Sequence, residues 1–224
     1  MTRENVHDMF GMALRETWFF AGSMPNGTKV NSERFRGKGV RGMQEGVYIL
    51  LIRSNTLFSR FAYVMTGDPY THASIGFAVG EDEWEWYSFA RKHERIPLPA
   101  GFVKENLKVG VMKKNQEAPC ALYRIQVESK VRRKLQKRLR RMYKQKDRYR
   151  YNCLGTFFCY FEKRYHRENY YFCSQFIAEI LETHQIVQLS KEPSVFKPDD
   201  FRWIPDLNLC YEGHLGGLAG SLQA

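Results

Sequence analysis

Apolar residues fall into two rhythms along this chain, and the rhythm changes near residue 130. Before that point the segments are short. GVYILLIRS at 46–54 is nearly continuous in apolar residues, which predicts a strand buried on both faces. THASIGFAV at 71–79 and WEWYSFA at 84–90 predict a hairpin around Gly80-Glu81-Asp82-Glu83. CALYRIQV at 120–127 alternates as a further strand. One helix is expected among them, over 55–65, with Leu57, Phe61 and Val64 on one side and Asn55 as its cap. After residue 130 the period is 3.6. Val131, Leu135, Leu139, Met142 and Tyr143 share one helix face. YNCLGTFFCYF at 151–161 predicts a buried helix, and YYFCSQFIAEILETH at 170–184 another, with Phe176, Ile177, Ile180 and Leu181 on its apolar side. Residues 91–108, which contain Pro97, Pro99 and Gly101, are expected to be irregular, and PDDF at 198–201 to be a turn with Asp199 as a helix N-cap. The order of elements predicts an α+β domain with a mostly antiparallel sheet.

The flanks are poorer in pattern. Residues 1–20 have weak helical spacing, and 21–46 are rich in Gly, Ser, Asn and Lys/Arg, so 1–45 read as an extension or linker. The domain is expected over 46–210. The stretch 211–224, ending GHLGGLAGSLQA, reads as a flexible tail.

Composition narrows the class. With 224 residues, 43% hydrophobic and 15% aromatic, the chain can bury a full core, and disorder is excluded. The formal net charge of +11 is confined to residues 130–150, which hold twelve Lys/Arg and one acid, Asp147. The rest of the chain is neutral. Three readings of this segment stand: a solvated outer helix face, a surface for an anionic partner such as nucleic acid or lipid headgroups, and a dock for an acidic substrate. No aromatic residue interrupts its basic core from Val131 to Met142, which argues against base stacking there. Five cysteines, an odd number with no CxxC pair, argue against a disulfide framework or a zinc site. Thiols of this kind suit a reducing compartment, and no apolar run has the length of a leader core or a membrane span, so a cytoplasmic protein is expected. His93, His166, His184 and His214 lack metal-ligand spacing and read as surface or structural residues.

Two positions carry candidate chemistry. His72 opens a predicted strand beside the small residues Ala73 and Ser74. Cys173 falls at the start of a predicted helix, beside Ser174. A helix N-terminus carries partial positive charge and free N–H groups, which favour a thiolate and can bind a developing oxyanion. A strand-end histidine is held rigidly and can accept or return a proton. Gln175 is polar and close by, but two positions along a helix turn it about 200° away.

The stretches VYILLIRSNTLFSRFAYVMTGDPYTHASIGF, WYSFARK, GFVKEN and NYYFCSQFIAEIL resemble the circularly permuted papain-like cysteine hydrolases of the NlpC type. In that branch the His strand precedes the Cys helix, as THASIGF precedes YFCSQFIAE here. The resemblance spans roughly residues 46–204. It implies a papain-like antiparallel sheet packed against helices, with Cys173 as nucleophile and His72 as base. It also implies a third polar residue on the strand after His72, often a Glu in an EA sequence, which orients the imidazole. The matching stretch is Tyr87-Ser88-Phe89-Ala90, which puts Ser88 in that place, within diagonal reach of His72 across the hairpin. Glu85 falls on the wrong face by alternation. The implied activity is a thiol hydrolase, of the cysteine peptidase or amidase kind, or an acyl transferase. Its substrate is a peptide, amide or acyl ester, with no metal or organic cofactor. The rival is a papain-like binding module with little or no catalysis, which holds an anionic partner through its basic helix. Ser in place of a carboxylate motivates that rival, because Ser cannot stabilise an imidazolium by charge.

Overall fold

Strand β1, Gly46–Ile52, is buried along its whole length, and its alternation explains the architecture. Val47, Ile49 and Leu51 join one hydrophobic core, while Tyr48, Leu50 and Ile52 join a second on the opposite face of the sheet. A continuous apolar run is what a strand covered on both sides requires. The computed structural model describes residues 46–53, 63, 64, 66–80, 83–92 and 99–222. The expected extension over 1–45 and most of the helix expected over 55–65 lie outside them, as does His93.

The chain is α+β. The other strands are β2 (His72–Ala78), β3 (Trp84–Arg91), β4 (Ala100–Glu105), β5 (Pro119–Gln126), β6 (Arg150–Tyr151), β7 (Tyr170–Tyr171) and β8 (Asn208–His214). They form one sheet in the order β7-β6-β4-β3-β2-β1-β5-β8. Every pairing is antiparallel except β6 with β7, which run parallel. The α-helices named among the described residues are α1 (Gly110–Lys114), α2 (Ser129–Lys144), α3 (Cys153–Tyr160), α4 (Cys173–Thr183) and α5 (Leu215–Ser221). No helix among the described residues is long and apolar enough to cross a membrane.

Helices α2 and α4 cover the first core. Leu135, Leu139 and Met142 of α2 and Phe176, Ile177, Ile180 and Leu181 of α4 pack with Ala73, Ile75 and Phe77 of β2. The basic helix therefore keeps its apolar stripe inward. Two of its arginines serve the fold: Arg132 donates to the carbonyl of Ala78, and Arg140 to Glu85 Oε2 at 2.9 Å. Arg133, Lys134, Lys137, Arg141 and Lys144 are exposed.

Three expectations are corrected. Residues 91–108 are not irregular throughout, because β4 lies within them, with Phe102 fully buried against Phe89 and Phe176. The end of the chain is not a loose tail. β8 pairs with β5, and Leu215, Leu218 and Leu222, one helical face of α5 and its end, are buried in the second core. At PDDF the 3-10 turn Pro198–Trp203 is capped by Lys197, and Asp200 accepts from the Lys197 N–H. Asp199 lies inside the turn and pairs with Arg202 at 3.3 Å.

Candidate active site

His72 is the first residue of β2, and the sheet is open beside it. The β2–β3 ladder runs from Ala78 opposite Trp84 to Ile75 opposite Tyr87 and goes no further, whereas β1 pairs with β2 down to His72. Farther along β2, Gly76 lies under the Trp86 ring, where a Cβ would approach ring carbon to 2.2 Å, so only glycine fits. Among the described residues, the start of β2 therefore keeps backbone pairing with one strand only, and polar side chains collect on its other side.

Glu105, the last residue of β4, reaches that side. Its Oε1 lies 3.0 Å from His72 Nε2. Ser74 Oγ donates to Glu105 Oε2 and lies 3.3 Å from His72 Nε2. The histidine and glutamate side chains are only 15% and 10% exposed, so water screens their attraction weakly. Burial works against a charge on His72. The charge of Glu105, together with interactions from the Cys173 thiol and the Glu105 carboxylate, prevails and pushes His72 up to about 10. Nε2 faces Glu105, which leaves Nδ1 as the ring nitrogen able to serve a thiol.

Ser88, expected to orient His72, is occupied elsewhere. It is fully buried, and its Oγ donates to the Ala73 carbonyl at 2.7 Å. It satisfies a backbone acceptor where the β2–β3 ladder ends, a place where an unpaired carbonyl is costly. Glu105 holds the imidazole instead. Sequence reasoning missed it because the prolines before it concealed β4, although Gly101-Phe102-Val103-Lys104-Glu105 does alternate.

Cys173 begins α4. The preceding Phe172 is extended, with φ −105° and ψ 170°, and supplies no capping acceptor, so the first N–H groups of the helix are not taken by a cap side chain. Cys173 is 5% exposed. Its position is set by a parallel register: Tyr151 of β6 pairs with Tyr171 of β7, α3 begins two residues after the former, and α4 two residues after the latter. The two helix starts therefore lie side by side. Asn152 ties them, capping α3 through Gly155 N at 3.0 Å and donating to Gln175 Oε1 at 3.5 Å. Gln175 is fully buried, and among the described residues neither its Nε2 nor the Ser174 hydroxyl has a hydrogen-bond partner. Burial, and then an electrostatic interaction with Cys173, push the Tyr151 and Tyr160 hydroxyls up. Burial also pushes the Cys159 thiol up to about 12, which marks it as inert.

No group of three or more His, Cys, Asp or Glu with metal-binding geometry occurs among the described residues. His184 Nδ1 is spent on the Ile180 carbonyl at 2.8 Å. Comparison with protein-family models, with curated proteins and with solved structures gave no match.

Proposed function

We propose that this protein is a thiol hydrolase or acyl transferase of the circularly permuted papain-like type, acting on an amide, peptide or ester bond through Cys173 and His72. The observation that carries the reading is a partly buried histidine held on one nitrogen by Glu105 and interacting with a thiol at a helix start. An imidazolium beside a thiol favours the thiolate, the form that attacks. The order of the two motifs along the chain, His strand first, supports the permuted assignment.

In the first step the Cys173 sulfur adds to the carbonyl carbon, forming a C–S bond and moving the carbonyl π electrons to oxygen. The Cys173 N–H, at the first position of α4, helps hold that oxyanion. Collapse breaks the bond to the leaving nitrogen or oxygen, which takes its proton from His72. Water or another nucleophile then attacks the acyl-thioester, gives its proton to His72, and releases the acyl group from sulfur. Glu105 keeps the ring oriented and favours its charged form throughout. Ser74 fixes the carboxylate through Oε2. The test is a thiol-directed acyl or alkylating probe on native protein. Labelling confined to Cys173 and strongly reduced by His72→Ala is the expected result. Equal labelling of several cysteines contradicts the reading.

A further inference from the structure

Helix α3 is expected to be buried, and one of its faces is not. Leu154, Phe157 and Phe161 are 54%, 46% and 45% exposed. Spaced three and four apart, they lie on one helical face. Their rings are preassembled: Phe157 packs on Phe158 and Phe161 with centroids 5.8 and 5.0 Å apart, and Phe158 on Tyr165 at 5.3 Å. The opposite side of α3 is buried through Gly155, Thr156 and Cys159, so the helix is anchored and its apolar face is held outward. An aromatic cluster kept in water needs a reason.

The surroundings say what fits it. Residues 144–168, which include α3, contain seven Lys/Arg and three Asp/Glu. Lys144, Lys146, Arg148 and Arg150 before the helix are exposed, as are Lys163, Arg164 and Arg167 after it. An apolar face between cationic side chains, whose stems can lie along the apolar layer while their heads reach phosphates, matches an anionic lipid surface. At eight residues α3 is far too short to enter deeply. Its start lies beside the start of α4, where Cys173 sits.

We propose that the Leu154–Phe157–Phe161 face of α3 docks the protein on an anionic membrane surface and brings the Cys173 site to acyl groups held there. The docking half stands on its own, and the acyl half rests on the thiol reading. The test is co-sedimentation of the full chain with phosphatidylcholine vesicles with and without phosphatidylserine, at low and high salt. The proposal expects binding to the phosphatidylserine vesicles that weakens with salt. It also expects a loss of about tenfold or more in the Phe157→Ser/Phe161→Ser double variant, whose changes are on the surface and spare the core. Cys173→Ala should bind like the unmodified chain, so failure of the thiol reading leaves this result intact. No binding to anionic vesicles, or equal binding by the double variant, overturns the proposal. So does a concentration-dependent dimer that the same substitutions dissociate, because the face would then belong to a second copy of the chain.

Discussion

Two glutamates on neighbouring strands, one buried and one partly buried, meet opposite fates. Glu85 of β3 lies opposite Phe77 and turns toward α2, where Lys104 Nζ at 3.0 Å, Arg140 Nε at 2.9 Å and Gln136 Nε2 at 3.4 Å satisfy it. Glu105 of β4 lies opposite Trp86, on the other face, and meets His72 and Ser74. Adjacent Lys104 and Glu105 go to opposite faces by strand alternation, so one residue serves each cluster. Burial works against the charge of Glu85, but Arg140 and Lys104 outweigh it and hold the carboxyl below the usual carboxylate range. Those partners close an ion-pair network around the carboxylate. Glu105 is paired with a group that titrates, beside a thiol. A carboxylate held between a lysine and an arginine braces the sheet, whereas one paired with a histidine beside a thiol can drive chemistry.

The contrast can be broken at several points. The largest effect belongs to Cys173→Ser, which should lower turnover by on the order of a thousandfold or more and abolish thiol labelling at that position. Next is Glu105→Gln. Without the carboxylate charge, His72 should fall from about 10 toward its ordinary 6.5, as followed by NMR titration of its ring protons. Turnover near neutrality should fall about 10- to 100-fold. Glu85→Gln should leave that titration unmoved and cost about 1 kcal/mol in a urea melt, since Arg140 and Lys104 can turn to water. A shift of His72 in the Glu85 variant would erase the distinction drawn between the two clusters.

Stability should follow the same logic. His72 has a raised value in the folded state, so the folded protein binds the extra proton more tightly. The stabilisation from this group is complete below about 6.5 and is lost as pH rises toward about 10. Urea midpoints measured across that window should decline in the parent protein, and Glu105→Gln should remove this part of the slope. The smallest expected change in chemistry is that of Ser88→Ala. It strands the buried Ala73 carbonyl and costs about 1–3 kcal/mol of stability, with the labelling rate of Cys173 unchanged. A large loss of labelling with stability intact would instead make Ser88 part of the site.

The sequence was legible where local pattern and burial agree. The hairpin of β2 and β3, the inward stripe of α2 and the start of α4 at Cys173 all follow from their periods. It misled where tertiary partners decide. Hairpin parity put Ser88 within diagonal reach of His72, but could not show that the Ala73 carbonyl takes its hydroxyl. Glu105 sits 33 residues beyond His72 and two strands away, a long-range meeting that no local window contains. Glycines made the end of the chain look loose, although the spacing of Leu215, Leu218 and Leu222 was already helical. In α3 the apolar content suggested burial, but one face has no covering element among the described residues.

The account rests on His72 activating a buried thiol, and two cysteines at neighbouring helix starts offer a built-in control. Cys153 is exposed at the start of α3, and Cys173 is buried at the start of α4. The decisive measurement is the rate of alkylation of each by a small neutral reagent at pH 6, where an ordinary thiol is protonated. The account predicts that buried Cys173 reacts faster than exposed Cys153 in the parent protein, and that the order reverses in His72→Ala. Cys153 reacting first in both proteins would contradict it.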